Sequence, residues 1–388
     1  MQLLIVTREH ANDQYYGLGR AMRRISSYLS TRGHQVIYCS AADWTEAEHE
    51  SFERTQARWR KIFINLGLNC ELLAPWAERL VQASVARKFA RDCCATHIWF
   101  HDPWLAAAFH WGGVFGLKVR PHIRWGVSEH GLGSFVQAVG LDGLVMNLRT
   151  FRLFTWLERR VLKRAHWVFT PSSSAMNALC RDFGRMTPAK SWHLLGYGAP
   201  NPITESRDSA RAALGWTDDT VNIIAVGRIS PVKRMHVLVE ACALAQKNLI
   251  KKIRLFILGD GDLTLIDQSS ETTGFYPVVR FSNDIHTYLA AADVYLSACQ
   301  AESFGLANQE AVAAGLPSII ACGGAACEVV GQGAWLVDGS IDSFVEALSA
   351  LLSEPVLYQY WKTRAENASW PSWESIINDC EYKLQSNI

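Results

Sequence analysis

Two glutamates in the second half of the chain have the type and position to bind a polar ligand. Glu302 follows the strand predicted over 294–297, and Glu310 lies about one turn into the next helix. Their spacing of eight carries no information, because two other glutamate pairs share it. Only Glu302 occupies a strand-to-helix turn with a glycine that allows close backbone approach. The backbone amides at that helix start favour phosphate. The alternative for Glu310 is an ordinary solvated helix residue.

Two cations follow the strand predicted over 221–226. Arg228 lies in the loop, and Lys233 is predicted in the first turn of the next helix, which starts at Pro231. Cations beside a helix start suit a diphosphate. Because the helix dipole disfavours Lys233 there, we expect an anionic partner for it. Arg234 is either a third contact to the same ligand or a surface charge, and we favour the surface charge.

Asp260 and Asp262 in the sequence GDGD admit two interpretations. A D-x-D pair can hold a divalent metal on a nucleotide diphosphate. A tight Gly-Asp-Gly turn requires the same residues. Because Arg228 and Lys233 already supply two positive charges, we favour the turn and expect no metal.

The first half offers glycines and histidines. Gly17 and Gly19 open a helix after the first predicted strand, but the third glycine of the dinucleotide fingerprint is missing, which weakens a dehydrogenase interpretation. His101 and His130 each follow a strand. His130 is the better functional candidate because Gly131 and Gly133 clear space beside it, and His34 is assigned a structural role.

Short apolar runs alternate with helical stretches along the whole sequence, which predicts an α/β fold with parallel sheets. A Gly/Pro/Asn-rich stretch at 197–210 predicts a linker between domains at 1–200 and 201–370. The last segment, 373–388, is predicted to be a helix that crosses back to the first domain.

The net charge of the chain changes sign at this predicted linker. Residues 1–200 contain 25 Lys+Arg and 15 Asp+Glu, a net of +10, whereas residues 201–388 contain 13 and 22, a net of −9. The total of +1 gives no indication of nucleic-acid binding. Basic segments with interleaved aromatic residues (54–61, 87–91 and 149–164) suit an anionic membrane surface, with ordinary solvated helices as the alternative. The ten cysteines form no C-x-x-C pair, so reduced thiols and a cytoplasmic location are expected.

The strings VGRISPVK, LGDGD, YLAAADVYLSACQAESFGLANQEAVAAGLP and GGAACEVV give the second domain a resemblance to the retaining glycosyltransferases of family 4. The first domain is similar more loosely, through GLGR, HDP and SEHG. Arg234 stands where that family usually has glycine. The resemblance implies the GT-B fold, an α/β arrangement of two facing Rossmann-like doubly wound domains with a central cleft.

The resemblance also implies roles for the candidate residues. Arg228 and Lys233 would bind the donor diphosphate, Glu310 the ribose, and Glu302 the donor sugar. The backbone amides of Ser303, Phe304, Gly305 and Leu306 would lie beside Glu302 at the donor. His130 would lie at the sugar ring, Gly17 and Gly19 at the phosphates, and His101 on the acceptor side. We therefore expect a metal-independent, retaining hexosyltransferase that uses a UDP- or GDP-sugar, with no cofactor.

A glycan or lipid-linked acceptor in cell-surface polysaccharide, lipopolysaccharide or glycolipid synthesis is the expected partner, with the protein peripheral on the inner face of the cytoplasmic membrane. Three alternatives stay open: a nucleotide-sugar epimerase, a phosphorylase, and a non-catalytic partner of another transferase. Whether Glu302 acts electrostatically or covalently is also open.

Overall fold

Parallel strands alternate with helices along the chain in the computed structural model, which describes residues 1–10, 17–111 and 123–386. The chain divides into two compact units. Unit 1 comprises Met1–Tyr197 and Trp373–Ile388, and unit 2 comprises Gly198–Ser372. The α/β fold class is confirmed, while the functional domain bounds at 200 and 370 stay a prediction.

Unit 1 is built on a six-stranded parallel sheet with the strand order β2-β1-β3-β4-β5-β6. Its strands are β1 (Gln2–Val6), β2 (Gln35–Cys39), β3 (His97–Phe100), β4 (Arg124–Ser128), β5 (Trp167–Thr170) and β6 (Trp192–Leu194). Its helices before the linker are α1 (Gly17–Thr31), α2 (Glu46–Leu66), α3 (Leu73–Asp92), α4 (Pro103–Trp111), α5 (Phe135–Leu141), α6 (Leu148–Arg164) and α7 (Ser173–Asp182). The strand order reverses between β1 and β3, and ligands of open parallel sheets bind beyond the carboxyl ends at such a switch point.

Unit 2 repeats this architecture with the strand order β12-β11-β10-β7-β8-β9. Its strands are β7 (Thr220–Val226), β8 (Lys252–Leu258), β9 (Val278–Arg280), β10 (Val294–Ser297), β11 (Ser318–Ala321) and β12 (Trp335–Val337). Its helices are α8 (Arg207–Leu214), α9 (Met235–Gln246), α10 (Thr264–Thr273), α11 (Ile285–Ala291), α12 (Leu306–Ala313), α13 (Ala326–Val330), α14 (Ile341–Ser353) and α15 (Pro355–Glu366). Here the switch point lies between β7 and β10.

The last helix, α16 (Trp373–Gln385), belongs to unit 1. Glu381 accepts a hydrogen bond from Arg32 at 3.0 Å and lies 2.6 Å from His34 Nε2. Lys383 Nζ donates to the Leu194 carbonyl oxygen at 2.9 Å. His34 therefore has the structural role expected of it, as part of the anchor that holds α16 against unit 1.

Central strands of both sheets are buried on both faces, which explains why their sequences are apolar runs without alternation. The apolar runs predict ten strands, and all ten occur with ends shifted by at most one residue. The predicted ranges are 3–6, 35–39, 97–100, 123–127, 167–170, 221–226, 253–258, 278–281, 294–297 and 318–321. The sequence analysis missed β6 and β12, which are three-residue strands at sheet edges and too short to give a periodic signal.

One sequence expectation is wrong. Cys322 and Cys327 are joined by a disulfide rather than reduced, while the other eight cysteines are free. The aromatic residues of the basic segments mostly face the core rather than solvent: Phe154 is buried, and Trp59 packs against Phe63 and Trp76. Of these aromatic residues, Trp156 is half-exposed.

Candidate active site

The carboxyl edge of β7 and β10 carries the acidic and basic candidates of unit 2. The two strands are neighbours in register, with Val294 opposite Ile223 and Tyr295 opposite Ile224. Arg228 follows β7 and Glu302 follows β10, so both flank the switch point of this sheet. The structure therefore brings these two loops together as the sequence analysis expected.

Lys233 and Glu302 form an ion pair with 2.7 Å between Nζ and Oε2. Burial lowers the pKa of Lys233, but the Glu302 carboxylate more than offsets this and raises it. Burial raises the pKa of Glu302, and Lys233 outweighs burial and lowers it. Both groups are thus charged at neutral pH, and Glu302 is the anionic partner that Lys233 was expected to need.

Lys233 does not lie in the helix predicted for it. It ends a short 3-10 helix, Pro231–Lys233, and α9 starts only at Met235. Arg234 separates the two with a left-handed backbone, at φ 52°. Its guanidinium is half-buried and donates to the Gly339 carbonyl oxygen at 3.1 Å, so its interpretation as a surface charge is wrong.

The GDGD sequence braces the Arg228 loop through its backbone. Ile229 N donates to Asp260 O at 2.6 Å, and Asp262 N donates to Ile229 O at 3.2 Å. A Cβ at Gly261 would lie 2.0 Å from Ile229 O, so only glycine fits. The Asp262 carboxylate accepts from the backbone N–H and the hydroxyl of Thr264, which is a turn role. Across the described residues, no cluster of three or more metal-ligating side chains occurs.

The Glu302 loop is fixed on two sides. Gly305 has φ 92°, and the helix α12 begins at the next residue, so the sequence 303–306 turns directly into that helix. Ala325 N donates to Glu302 O at 2.7 Å, and a Cβ at Gly324 would lie 2.1 Å from that oxygen. Glu310 is half-buried about one turn into α12, as predicted from the sequence.

In unit 1, His101 and His130 follow neighbouring strands and touch. His101 Nδ1 lies 2.8 Å from His130 Nε2, and the planes of the two rings are nearly parallel. The Tyr197 hydroxyl lies 3.3 Å from His130 Nδ1. Burial lowers the pKa of His130 to about 4 and that of His101 well below its usual value, so both rings are neutral at pH 7.

A buried ionic network fixes the loop that contains His101. The next residue, Asp102, pairs with Arg8 and Arg79, each at 2.7 Å. Its second oxygen accepts from the backbone N–H groups of Trp104 and Leu105, which caps the start of α4.

Two carboxylates on other helices hold the loop that follows His130. Glu158 on α6 accepts from the backbone N–H groups of Phe135 and Val136 at 2.8 and 3.1 Å. Asp182 accepts from Ser134 N at 2.7 Å. Three successive amides at the start of α5 are thereby fixed, which positions the loop containing His130.

The Glu129 carboxyl is buried beside this network, and both of its oxygens lack a hydrogen-bond partner within the described part of the chain. Burial, with Glu158 and Asp102 nearby, raises the pKa of Glu129 well above its usual value. Burial raises the pKa of Glu158 as well, to about 8, although the N–H groups of Phe135 and Val136 act against this shift.

Gly17 is the first residue of α1, as predicted, and Gly19 is buried two positions further on. The loop that precedes them includes residues 11–16, which lie outside the described residues. Contacts of Gly17 or Gly19 to a phosphate stay a prediction, as do the ligand roles of the other candidate residues.

The sequence analysis missed Asp102, Glu158 and Asp182 as positioning residues. Asp102 could have been found, because Asp-Pro is a helix-start signal. Glu158 is the one acidic residue of the basic segment 149–164 and shares the apolar face of its helix, which was a usable signal. Asp182 gave none, because its partner is 48 residues away.

Two family models match this chain. The model for Glycosyltransferase Family 4 matches residues 15–194, and the model for Glycosyl transferases group 1 matches residues 206–368. Together they cover most of the sequence.

Curated relatives match over part of the chain. The D-inositol 3-phosphate glycosyltransferase of Mycolicibacterium smegmatis is 31% identical over 189 residues, which is 45% of this chain and 42% of the relative. The enzyme of the same name from Geodermatophilus obscurus is 30% identical over 189 residues, which is 44% of this chain and 42% of the relative. The match thus spans about two fifths of the length of these relatives.

Solved structures match over the whole chain. WaaG, a glycosyltransferase involved in lipopolysaccharide biosynthesis, superposes with a TM-score of 0.69 at 15% identity, covering 100% of both chains. HepE of Anabaena, solved with UDP and glucose, gives 0.68 at 17% identity and also covers 100% of both. These superpositions establish the GT-B fold. The two family models, which together match residues 15–194 and 206–368, show that the chain belongs to the family 4 glycosyltransferases.

Proposed function

We propose that the protein transfers a hexose from a nucleotide-diphosphate sugar, a UDP- or GDP-sugar, to a glycan or lipid-linked acceptor. The observation that carries this proposal is the Lys233–Glu302 ion pair beside Arg228 at the switch point of unit 2. An ammonium has three N–H donors, and Glu302 takes one, which leaves two for diphosphate oxygens.

Charge accumulates on the leaving diphosphate as the glycosidic bond breaks. Arg228 and Lys233 would stabilise that charge from fixed positions, which is the effect expected to contribute most to the rate. Glu302, which is ionised and lies just before the start of α12, would accept hydrogen bonds from the donor sugar hydroxyls. Glu310 would accept hydrogen bonds from the ribose hydroxyls.

We further propose that the reaction retains the anomeric configuration and needs no metal. Support for metal independence comes from the two cations, which supply the charge a divalent ion would otherwise bring, and from Asp262, whose carboxylate is engaged in a turn. The matched HepE structure, solved with UDP and glucose, makes a uridine donor the first to test.

The acceptor proposal rests on charge. The net +10 of residues 1–200 suits an anionic acceptor, and WaaG acts in lipopolysaccharide biosynthesis. A location at the inner face of the cytoplasmic membrane would bring such an acceptor within reach. No helix among the described residues is long and apolar enough to span a bilayer.

The test is release of the nucleotide diphosphate from UDP- and GDP-hexoses by the purified chain, with the anomer of the product assigned by NMR. We expect release to persist in EDTA. Loss in EDTA that Mn²⁺ restores would contradict metal independence. An epimerised sugar nucleotide or a sugar phosphate as the product would instead favour the epimerase or phosphorylase alternatives, and no release from any donor would favour a non-catalytic partner.

A further inference from the structure

Four exposed aliphatic side chains gather where the end of α2 meets the segment before α6. Ile64 is 60% exposed, Leu66 53%, Val145 79% and Leu148 61%. We call these four residues the rim patch. Single exposed aliphatic residues need no explanation, but four at one junction form a surface that a protein in water would bury.

Hydrogen bonds make this junction one surface. Asn69 Nδ2 donates to the Val145 carbonyl oxygen at 3.1 Å, and Asn147 N donates to Asn69 Oδ1 at 2.7 Å. Asn147 Nδ2 donates to the Gly67 carbonyl oxygen at 3.0 Å. The residues that flank Gly67 and Asn147 in sequence therefore lie next to each other.

Cations dominate the two segments that contain the rim patch, with Glu53, Glu71 and Asp142 as the acidic residues just outside them. Residues 54–66 and 145–152 together contain six Lys or Arg and no Asp or Glu. Arg58, Lys61, Arg149 and Arg152 are exposed. Arg149 lies across the end of α2, with Nη1 2.9 Å from the position a Cβ of Gly67 would take. Aliphatic side chains framed by cations are typical of a surface that lies on an anionic bilayer.

The rim patch also lies at the functional edge of its sheet. The helix α6 leads into the start of β5, so its first residue, Leu148, is at the carboxyl edge. His101 and His130 follow β3 and β4 at that same edge. A membrane bound there would be near the side chains that we place on the acceptor and sugar sides.

We propose that the rim patch docks unit 1 on an anionic lipid bilayer, with its aliphatic side chains in the headgroup–acyl boundary and its cations on lipid phosphates. The inference rests on the proposed function, since it places the acceptor in that bilayer. A second copy of the chain is a poor occupant, because a two-fold contact through the patch would set six cations against six.

The test is co-sedimentation of the full chain with vesicles of phosphatidylcholine and phosphatidylglycerol, at 0.1 M and 1 M salt. Binding should fall at high salt, where the screening length shrinks from about 10 Å to about 3 Å, and should be absent on pure phosphatidylcholine. Each basic side chain contributes about fivefold to the partition coefficient, so Arg149→Gln with Arg152→Gln should lower it by about 25-fold.

Two aliphatic pairs provide a matched comparison. Ile64→Ser with Leu148→Ser should lower binding, whereas Ile250→Ser with Val356→Ser should not, although Ile250 and Val356 are 105% and 84% exposed in unit 2. Equal losses from both pairs, or competition by soluble glycerol phosphate at millimolar concentration, would overturn the proposal.

Donor hydrolysis separates the two proposals. The rim-patch variants should release the nucleotide diphosphate at the wild-type rate in the absence of vesicles. Wild-type protein that hydrolyses donor but stays in the supernatant at low salt overturns the docking proposal alone. Protein that pellets with anionic vesicles but hydrolyses no donor contradicts the proposed function and leaves the docking surface supported.

Discussion

Lys233 illustrates how one side chain can be fixed before its ligand arrives. Its ammonium lies 2.7 Å from the half-buried carboxylate of Glu302, and each group keeps the other charged. A cation held in this way costs little to reorganise when charge appears on a diphosphate. The pair therefore belongs to the chemical step of the proposed reaction more than to ground-state binding.

We expect Lys233→Ala to lower kcat for donor turnover by about 10²–10³-fold, because it removes a contact that strengthens in the transition state. Glu310→Ala should instead raise KM for the donor with a smaller change in kcat, because ribose contacts change little during the reaction. Steady-state kinetics with the best donor measures both parameters.

The exposed residue Glu346 supplies a control, since Glu346→Ala should leave both parameters unchanged. Thermal denaturation should accompany the kinetics, because Lys233→Ala also leaves Glu302 without its cation. Small and equal effects from the Lys233 and Glu310 variants would remove both assignments.

Glu158 acts on the site through the backbone. Glu158→Gln keeps the shape of the side chain but offers one acceptor to the two N–H groups of Phe135 and Val136. The loop after His130 then loses a fixed amide, and kcat should fall by about 10–100-fold, as misplacement of a reacting group does. Donor hydrolysis and KM measure this.

Asp182→Asn is the parallel variant, because Asp182 holds Ser134 N in the same loop. Its effect should have the same direction with KM unchanged. A Glu158→Gln protein that unfolds more easily but keeps full kcat would show that the clamp serves stability alone.

Residue types and local spacing were enough to nominate Glu302, Glu310, Arg228, Lys233, His101 and His130 from the sequence. Contacts between distant residues were not accessible in that way. The Lys233–Glu302 pair joins residues 69 positions apart, and Glu158 reaches amides more than 20 positions away. No local pattern specifies which carboxylate meets which donor.

At the scale of elements, the strand–loop–helix units were predictable because parallel strands are continuous apolar runs. The start of α9 was not. Pro231 was expected to start it, but the chain first makes a 3-10 turn and then passes through a left-handed residue, Arg234. The usual glycine of the family adopts that backbone without strain, and arginine does not.

Arg234 therefore combines an unfavourable backbone with a favourable contact to the Gly339 carbonyl oxygen. Arg234→Gly relieves the strain and loses the contact, whereas Arg234→Ala loses the contact and keeps the strain. The glycine variant should be more stable than the alanine variant by about 1 kcal/mol. Urea denaturation of the two variants measures the difference, and an alanine variant of equal or greater stability would contradict the strain.

At the scale of the whole molecule, the charge of each half was countable from the sequence, but its distribution was not. Arg79 and Arg87 are buried within unit 1 and contribute nothing to a basic surface. The aromatic residues expected beside the cations lie mostly in the core, and exposed aliphatic residues take their place at the rim patch. Sequence composition could suggest a membrane surface but could not locate it.

Buried titratable groups of unit 1 should give the protein a stability optimum near pH 6.5. His97, His101, His110 and His130 have lowered pKa values, because burial disfavours their charged forms. Their stabilising contribution is present above the unfolded value of about 6.5 and is lost as the pH falls toward 4. Glu129 and Glu158 act in the opposite direction. Their raised pKa values give stabilising contributions that are present below the unfolded value of about 4.3 and are lost as the pH rises through the folded values.

Glu129→Gln removes the ionisation of Glu129, which is predicted to lower the stability of the wild type as the pH rises. Glutamine resembles the protonated carboxyl in size and polarity but cannot ionise, so the melting temperature of the variant should exceed that of the wild type by a margin that grows from pH 5 to pH 9. Glu346→Gln on the exposed face of α14 should leave the profile unchanged at both pH values. Thermal unfolding followed by circular dichroism between pH 5 and pH 9 gives the comparison. If the Glu129 and wild-type profiles run parallel up to pH 9, the carboxyl is already ionised at neutral pH, and a cation or solvent must then reach a group that the fold encloses among Glu158, Asp102 and apolar side chains.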